Sequence, residues 1–138
     1  MEKAKLGLDD GLIQSCAEPT SEAGEAAVRR LLERRRDFTA LYVDYVLKAH
    51  GVLKVLKEMS IRVPQDLSVA TFNLGDAGSH EDPPLATVDV PRREVGAAAV
   101  ALLLDLASGR VKAPATRYVP YLVVRGASIG APADVSKR

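Results

Sequence analysis

Residues 38–73 read FTALYVDYVLKAHGVLKVLKEMSIRVPQDLSVATFN, and the class of fold follows from this stretch. It opens with a run of apolar and β-branched residues, 38–44, which predicts a buried strand. Apolar residues then recur at helical spacing from Val46 to Met59, which predicts a helix. Pro64 prevents that helix from continuing, and Leu67–Phe72 predicts a second strand. A strand, a helix and a strand in this order are typical of a βαβ unit, whose two strands are parallel.

The same alternation continues upstream of this unit. Leu12–Cys16 predicts a short strand after the turn signal Asp9–Gly11. Thr20 or Ser21 can then cap a helix, because apolar residues recur at helical spacing behind them. The upstream part therefore predicts one more strand and one more helix.

The downstream part repeats the alternation with shorter strands. Thr87 and Val88 predict a very short strand, and residues 90–109 predict a helix with Pro91 in its first turn. An apolar stripe runs along that helix, and Gly109 can end it. Arg117–Arg125 predicts the last strand or pair of strands.

Strands that alternate with helices predict an α/β fold with a mostly parallel sheet. Residues 40–43 form a continuous apolar run, which is typical of a doubly wound sheet with helices on both faces. We therefore predict one such domain over residues 1–138. Ligands of these sheets bind beyond the carboxyl ends of the strands, which points to residues 17–21, 44–46 and 73–82.

Composition and charge indicate an ordinary globular protein without a strong electrostatic field. Apolar residues make up 47% of the chain and charged residues 27%, and the formal net charge is +1. Such a balance does not favour nucleic acid or an anionic membrane as a direct partner. Cys16 has no other cysteine to pair with, no signal-peptide pattern is visible, and no apolar run could span a bilayer. We expect a cytoplasmic protein.

Little in the sequence points to catalysis. The glycine-rich phosphate loops G-x-G-x-x-G and G-x-x-x-x-G-K-[ST] are absent, and we expect no hydrolase-type serine. His50 falls within a predicted helix and is interpreted as a structural residue. The acidic loop of Asp76, His80, Glu81 and Asp82 lacks the spacing of a calcium loop and is interpreted as solvated. We predict a binding protein without cofactor or metal, not an enzyme.

Three stretches resemble the C-terminal half of LacI/GalR-type bacterial transcription regulators. Arg62–Asn73, RVPQDLSVATFN, is similar to the family pattern R-V-P-x-D-x-S-V-x-G-[FY]-D. Pro83–Val88, followed by Pro91, is similar to P-P-L-T-T-V with a helix after it. Leu122–Arg125 resembles the final L-V-x-R. The resemblance covers nearly the whole chain.

The resemblance implies one lobe of a periplasmic-binding-protein-like fold, in which two lobes hinge about a cleft for a small effector. It also implies that the N-terminal lobe and the helix-turn-helix are missing, so that this chain is a fragment or a truncated product. DNA would then be a partner only through the missing domain. The helix at 90–109 would pack on the missing lobe in the family. Without that lobe we expect its apolar stripe to fold back or to pair with another chain, and we expect a homodimer.

The resemblance also places an effector site at the strand ends. The family's aromatic residue before the first helix falls at Pro19, and its Asn-Asp pair after the next strand falls at Tyr45 and Val46. Asp44 stands one position before that pair. The family's later aspartate falls at Asn73, which can bond a hydroxyl without carrying charge. The ligand-binding candidates are therefore Pro19, Asp44, Tyr45 and Asn73, although Tyr45 and Asn73 could also merely finish their strands.

Two other classes of protein stay open at this point. A periplasmic solute-binding protein shares the fold, and only the missing signal peptide and the missing first lobe argue against it. A flavodoxin-like α/β enzyme would need a phosphate loop, a nucleophile with a base, or a metal cluster. The leading interpretation is a small-molecule, sugar-like effector-sensing and dimerisation lobe.

Overall fold

The computed structural model describes residues 7, 9–73 and 77–132. Its main elements are α1 (Ser21–Arg34), β1 (Ala40–Val43), α2 (Val46–Glu58), β2 (Ser68–Asn73), β3 (Ala86–Asp89), α3 (Arg92–Ala107) and β4 (Leu122–Val124). Short 3₁₀ turns precede α1 and β3, at Asp10–Leu12 and Ala77–His80. No helix within these ranges is long and apolar enough to cross a bilayer.

The described strands form one four-stranded sheet in the order β1-β2-β3-β4. β1 pairs with β2 in parallel, and β2 pairs with β3 in parallel. β4 runs antiparallel to β3 at the end of the sheet. The prediction of a mostly parallel α/β sheet is confirmed.

Local signals fix the ends of the helices. The Thr20 hydroxyl accepts a hydrogen bond from the Ala23 N–H at 3.2 Å, which satisfies one of the free donors at the start of α1. Ser60, just after α2, has a φ of 57°, and Gly109, just after α3, has a φ of 72°. A left-handed residue is a common way to end a helix, so the predicted stop at Gly109 is confirmed.

The core lies between the sheet and the α1–α2 pair. Gly24 and Gly51 let these helices touch, because a Cβ atom at Gly24 would collide with the backbone of Lys48 and one at Gly51 with the carbonyl of Ser21. The buried cluster is aliphatic throughout and consists of Val28, Leu32, Val43, Ala49, Val52, Leu53, Val55, Leu56, Leu67, Val69 and Leu85.

In the described residues, the helices that pack on the sheet share one face, whereas we expected helices on both. Val28 of α1 and Val52 of α2 belong to the same cluster as Val43 and Val69. Residues 129–132 line the opposite face. The difference arises because α3 has no buried residue, so the helix that follows β3 does not cover that face.

Two predicted strands differ from the structure. Leu12 closes a 3₁₀ turn, and residues 13–16 continue without strand pairing, although the backbone of Ile13 is extended. Among the described residues no strand lies close enough to pair with them. The last strand was predicted over Arg117–Arg125, but in the structure it is only Leu122–Val124. Tyr118 is 91% exposed, so the segment before β4 lacks the packing that would extend its pairing with β3.

Candidate functional site

The carboxyl ends of three strands meet at one edge of the sheet. Val43, the last residue of β1, is in register with Thr71, two residues before β2 ends at Asn73. Asn73 is in register with Asp89 at the end of β3. The Thr71 hydroxyl donates to the Val43 carbonyl at 2.9 Å and ties β1 to β2 just below this edge. Loops beyond such an edge are where ligands of parallel sheets bind.

Lys48 is a buried cation at the same edge. Its side chain is 7% exposed, and its Nζ donates to Asp44 Oδ2 at 3.0 Å and to the carbonyl of Cys16 at 3.1 Å. The hydrogen bond to Asp44 raises the pKa of Lys48 above its ordinary 10.5. The Asp44 side chain is 70% exposed, so its carboxylate faces solvent while one oxygen holds the ammonium.

Three of the four predicted residues stand where β1 and β2 end. Asp44 and Tyr45 follow β1 directly, and Tyr45 is the half-buried N-cap residue of α2, with no side-chain capping bond. Asn73 ends β2, but its side chain lies outside the described residues. Pro19 is exposed and precedes the capping residue Thr20. The edge therefore offers a carboxylate and a phenol to a polar ligand, with Pro19 on a neighbouring loop.

Sequence reasoning missed two residues of this edge. Lys48 reads as an exposed helical lysine, but its spacing of four from Asp44 was a signal for an ion pair. Asp89 follows the predicted strand Thr87–Val88 directly, which is the position that supplies ligands in parallel sheets. It is half-buried beside Asn73.

The two histidines do not form a metal site in the described part of the chain. His50 Nδ1 lies 3.1 Å from Glu81 Oε1, a contact that joins α2 to the loop before β3. Within the described ranges no group of three His, Cys, Asp or Glu side chains could hold a metal ion. Asp76, which belongs to the predicted acidic loop, lies outside the described residues.

One stretch that sequence reasoning missed, GASIG at residues 126–130, has the G-x-S-x-G spacing of a hydrolase serine. Ser128 is fully buried, and its hydroxyl donates to the Val69 carbonyl at 2.6 Å and accepts from the Ala86 N–H at 2.8 Å. A nucleophile must be exposed and hydrogen-bonded to a base, whereas this hydroxyl joins β2 to β3. Ser128 is a structural residue.

Comparison with protein families gives one match over most of the chain. Residues 3–129 match the family described as periplasmic binding protein-like domain. The transcriptional repressor CytR of Escherichia coli K12 is 35% identical over 114 residues, which cover 82% of this chain and 33% of the relative. The regulator MalR of Streptomyces coelicolor is 37% identical over 117 residues, which cover 83% of this chain and 33% of the relative. The chain thus spans about a third of the length of these curated relatives.

Solved structures of similar fold include two with a bound disaccharide. The regulator CelR in complex with cellobiose superposes with a TM-score of 0.76 at 29% identity, over 92% of this chain and 38% of that one. A LacI-family regulator from an Arthrobacter species, in complex with lactose, gives a TM-score of 0.73 at 32% identity, over 83% of this chain and 43% of that one. These relatives are transcription regulators.

Proposed function

From the premise that this chain belongs to the periplasmic binding protein-like domain family, we propose that it is an effector-sensing lobe of a LacI-type bacterial transcription regulator. The observation that carries the proposal is the common edge at the carboxyl ends of β1 and β2, where Asp44 and Tyr45 directly follow β1 and Asn73 ends β2. Similar structures that bind cellobiose and lactose support a sugar-like effector for this chain.

Each residue at the edge has a chemically distinct part in this proposal. The Tyr45 ring stacks on the apolar face of a sugar ring, and its hydroxyl bonds at the periphery. The Asp44 carboxylate, held in place by Lys48, accepts hydrogen bonds from ligand hydroxyls. Asn73 offers both a donor and an acceptor, and Pro19 borders the ligand from the loop before α1.

We propose that regulation works through closure of two lobes about the effector. Binding that is stronger in the closed state shifts the hinge equilibrium and thereby changes DNA affinity in the full regulator. The net charge of +1 leads us to assign no DNA contact to these 138 residues. A regulator of this kind works in the bacterial cytoplasm, and this chain contributes binding and not catalysis.

We further propose that α3 packs on the other lobe of the regulator. It has no buried residue, and Val95, Val100, Leu103 and Leu104 are between 40% and 65% exposed. A helix that is apolar on several sides is typical of one enclosed by other elements. When that lobe is absent, the same surface favours a homodimer.

The test is a titration of the ¹⁵N-labelled chain with cellobiose and with lactose, followed by amide chemical shifts. A lone lobe offers half a cleft, so we expect binding weaker than about millimolar, and the titration therefore extends to the highest soluble concentration of each disaccharide. Shifts should cluster at residues 44–46 and 73, and Tyr45→Ala should abolish them. Lys57→Ala is the control, because Lys57 is exposed near the C-terminal end of α2, whereas Tyr45 is at its N-terminal end.

Three outcomes would contradict the proposal. The first is no shift with either disaccharide at the highest soluble concentration. The second is a set of shifts centred away from the carboxyl edge. The third is chemical turnover of the disaccharide in the sample, which would favour an enzyme of the same fold class.

A further inference from the structure

A groove lies at the amino ends of β1 and β2, at the end of the sheet opposite to the candidate effector site. Its volume is about 710 Å³. Its walls are the segment that leads from α1 into β1 and the segment that leads from α2 into β2, and the residues that line it are Leu32, Arg34, Arg35, Arg36, Asp37, Ser60, Ile61 and Asp66. We propose that this groove binds a small phosphate monoester, whose phosphate group is held by Arg34 and Arg36.

The Arg36 side chain is anchored without a carboxylate. Its Nε donates to the Leu32 carbonyl at 3.0 Å, which fixes the plane of the guanidinium. In the part of the chain that the structure describes, its two terminal nitrogens have no hydrogen bond and no ion pair. These nitrogens are therefore available to a ligand.

The Arg34 side chain is anchored in the same manner. Arg34 is the last residue of α1, and one of its terminal nitrogens donates to the Ile13 carbonyl at 3.3 Å. Among the described residues it has no carboxylate partner. Two anchored guanidinium groups thus belong to one groove, and their charge is not neutralised. Planar guanidinium groups match the oxygens of phosphate and often bind them in pairs.

The two acidic residues of the lining are already paired with other arginines. Arg35 donates to both oxygens of the Asp37 carboxylate, each at 2.7 Å. The Asp66 carboxylate accepts from the backbone N–H of Arg62 at 2.8 Å and from its guanidinium at 2.7 and 2.8 Å. Because these carboxylates are neutralised, they oppose an anion only weakly. The charge that remains is that of the two anchored guanidinium groups.

The end of a helix repels an anion through its free carbonyl groups, but two of the last carbonyls of α1 are covered. The Leu31 carbonyl accepts from the Arg35 N–H at 2.8 Å. The Leu32 carbonyl accepts from Arg36 Nε, so the bond that anchors this side chain also reduces the repulsion.

The size and lining of the groove favour a phosphorylated organic molecule over inorganic phosphate. Sites for small organic molecules have volumes of about 300 to 1,000 Å³, and this groove lies within that range. Leu32 and Ile61 add apolar surface beside the arginines, which suits the organic part of the ligand. The Ser60 hydroxyl can donate one further hydrogen bond to a phosphate oxygen.

The test is a titration of the ¹⁵N-labelled chain with phenyl phosphate, phenyl sulfate and phenol at about pH 7, where a phosphate monoester carries close to two charges. Phenyl phosphate should give saturable amide shifts at residues 34–37 and 60–61. Phenyl sulfate has a similar shape but a single charge, so it should bind at least about fivefold more weakly. Phenol should give no shift at these residues.

Three variants of the protein make the test specific to the two arginines. Arg34→Gln and Arg36→Gln each remove one guanidinium, and each should weaken the binding of phenyl phosphate by about tenfold. Arg93→Gln is the matched control, because it removes the same charge from an exposed position on α3 outside the groove. It should bind within about twofold of the parent chain. Thermal melting of the three variants checks that each keeps the fold.

Four results would overturn the proposal. Phenyl phosphate could give no saturable shift, or its shifts could centre on residues 44–46 instead. Arg93→Gln could weaken binding as much as Arg36→Gln, which would mean a general effect of charge. A phosphoserine tetrapeptide could bind more than about tenfold more tightly than phenyl phosphate, which would assign the groove to a polypeptide. Disaccharide binding affects none of these results, since the two sites are at opposite ends of the sheet.

Discussion

At the scale of single residues, Ser128 joins two parallel strands through one hydroxyl. It bonds to Val69 of β2 and Ala86 of β3, and its own carbonyl accepts from the Val69 N–H at 2.9 Å. Ser128→Ala would leave a buried N–H and a buried carbonyl without that partner. We expect a loss of about 1–3 kcal/mol in the free energy of unfolding, measured by urea denaturation.

The matched control for this change is Ser15→Ala, because Ser15 is exposed and its hydroxyl has no hydrogen bond to another described residue. We expect it to change stability by less than about 0.5 kcal/mol. Equal effects of the two substitutions would show that the Ser128 hydroxyl does not hold the strands together.

The Lys48–Asp44 pair makes stability depend on alkaline pH. Because the folded pKa of Lys48 is raised above 10.5, its contribution to stability is fully present below that pH and is lost as the pH rises through the raised value. We expect the parent chain to be more stable than Asp44→Asn at about pH 8, and this difference to shrink as the pH rises through the raised pKa of Lys48. Urea unfolding of both proteins at each pH measures it. A difference that stays constant across this range would contradict the assignment.

At the scale of elements, the contact between α1 and α2 depends on glycine. A Cβ atom at Gly51 would collide with the Ser21 carbonyl, and backbone cannot move aside as a flexible side chain can. Gly51→Ala should therefore destabilise the fold by about 1–3 kcal/mol through overpacking. Gly96→Ala is the control, because nothing lies within 4 Å of its Cβ position on α3.

The control substitution Gly96→Ala should change the stability in the opposite direction. Alanine is a better helix former than glycine by about 1 kcal/mol, so Gly96→Ala should leave stability unchanged or raise it. If Gly51→Ala were as well tolerated, the close approach of the helices would not be a determinant of the fold. Thermal melting of both variants distinguishes these results.

The sequence predicts well those elements that can be recognised from the apolar pattern of their own residues. β2 is a run of apolar residues behind Pro64, and α2 has a continuous apolar face, so both were predicted to within a residue or two. Leu12–Cys16 was predicted as a strand but is not paired, because pairing depends on a neighbour that its own sequence does not specify. β4 is shorter than predicted for a related reason, since all its residues are exposed.

At the scale of the whole molecule, the sequence predicted which residues belong to the candidate site but not which of its side chains contact one another. Asp44, Tyr45 and Asn73 could be placed because strand ends follow from strand periodicity and from the family pattern. The burial of Lys48 could not be predicted, because it depends on where the segment around Cys16 crosses α2. Contacts between side chains that are distant in the sequence can be identified only from the folded structure.

We propose that α3 determines whether the isolated chain associates in solution. Its exposed side chains include Val100, Leu103 and Leu104, and the described structure does not fold it back onto the sheet. Burial of apolar surface is worth about 25 cal/mol per Å², and association loses several kcal/mol of translational and rotational freedom, so association should need a high protein concentration. We expect light scattering to find a dimer at high protein concentration and Leu103→Glu with Leu104→Glu to give a monomer. Leu47→Glu, at another exposed apolar position, should leave the dimer intact.

The monomeric variant also distinguishes the two uses proposed for α3. If α3 packs on the other lobe of a regulator, adding glutamates to it should leave disaccharide shifts at Tyr45 unchanged in the isolated chain, because the helix is not part of the carboxyl edge. A parent chain that is monomeric at every concentration would contradict association through α3. A variant that loses both the dimer and the shifts at Tyr45 would mean that the effector edge is completed by the second copy, since one subunit alone would then not bind.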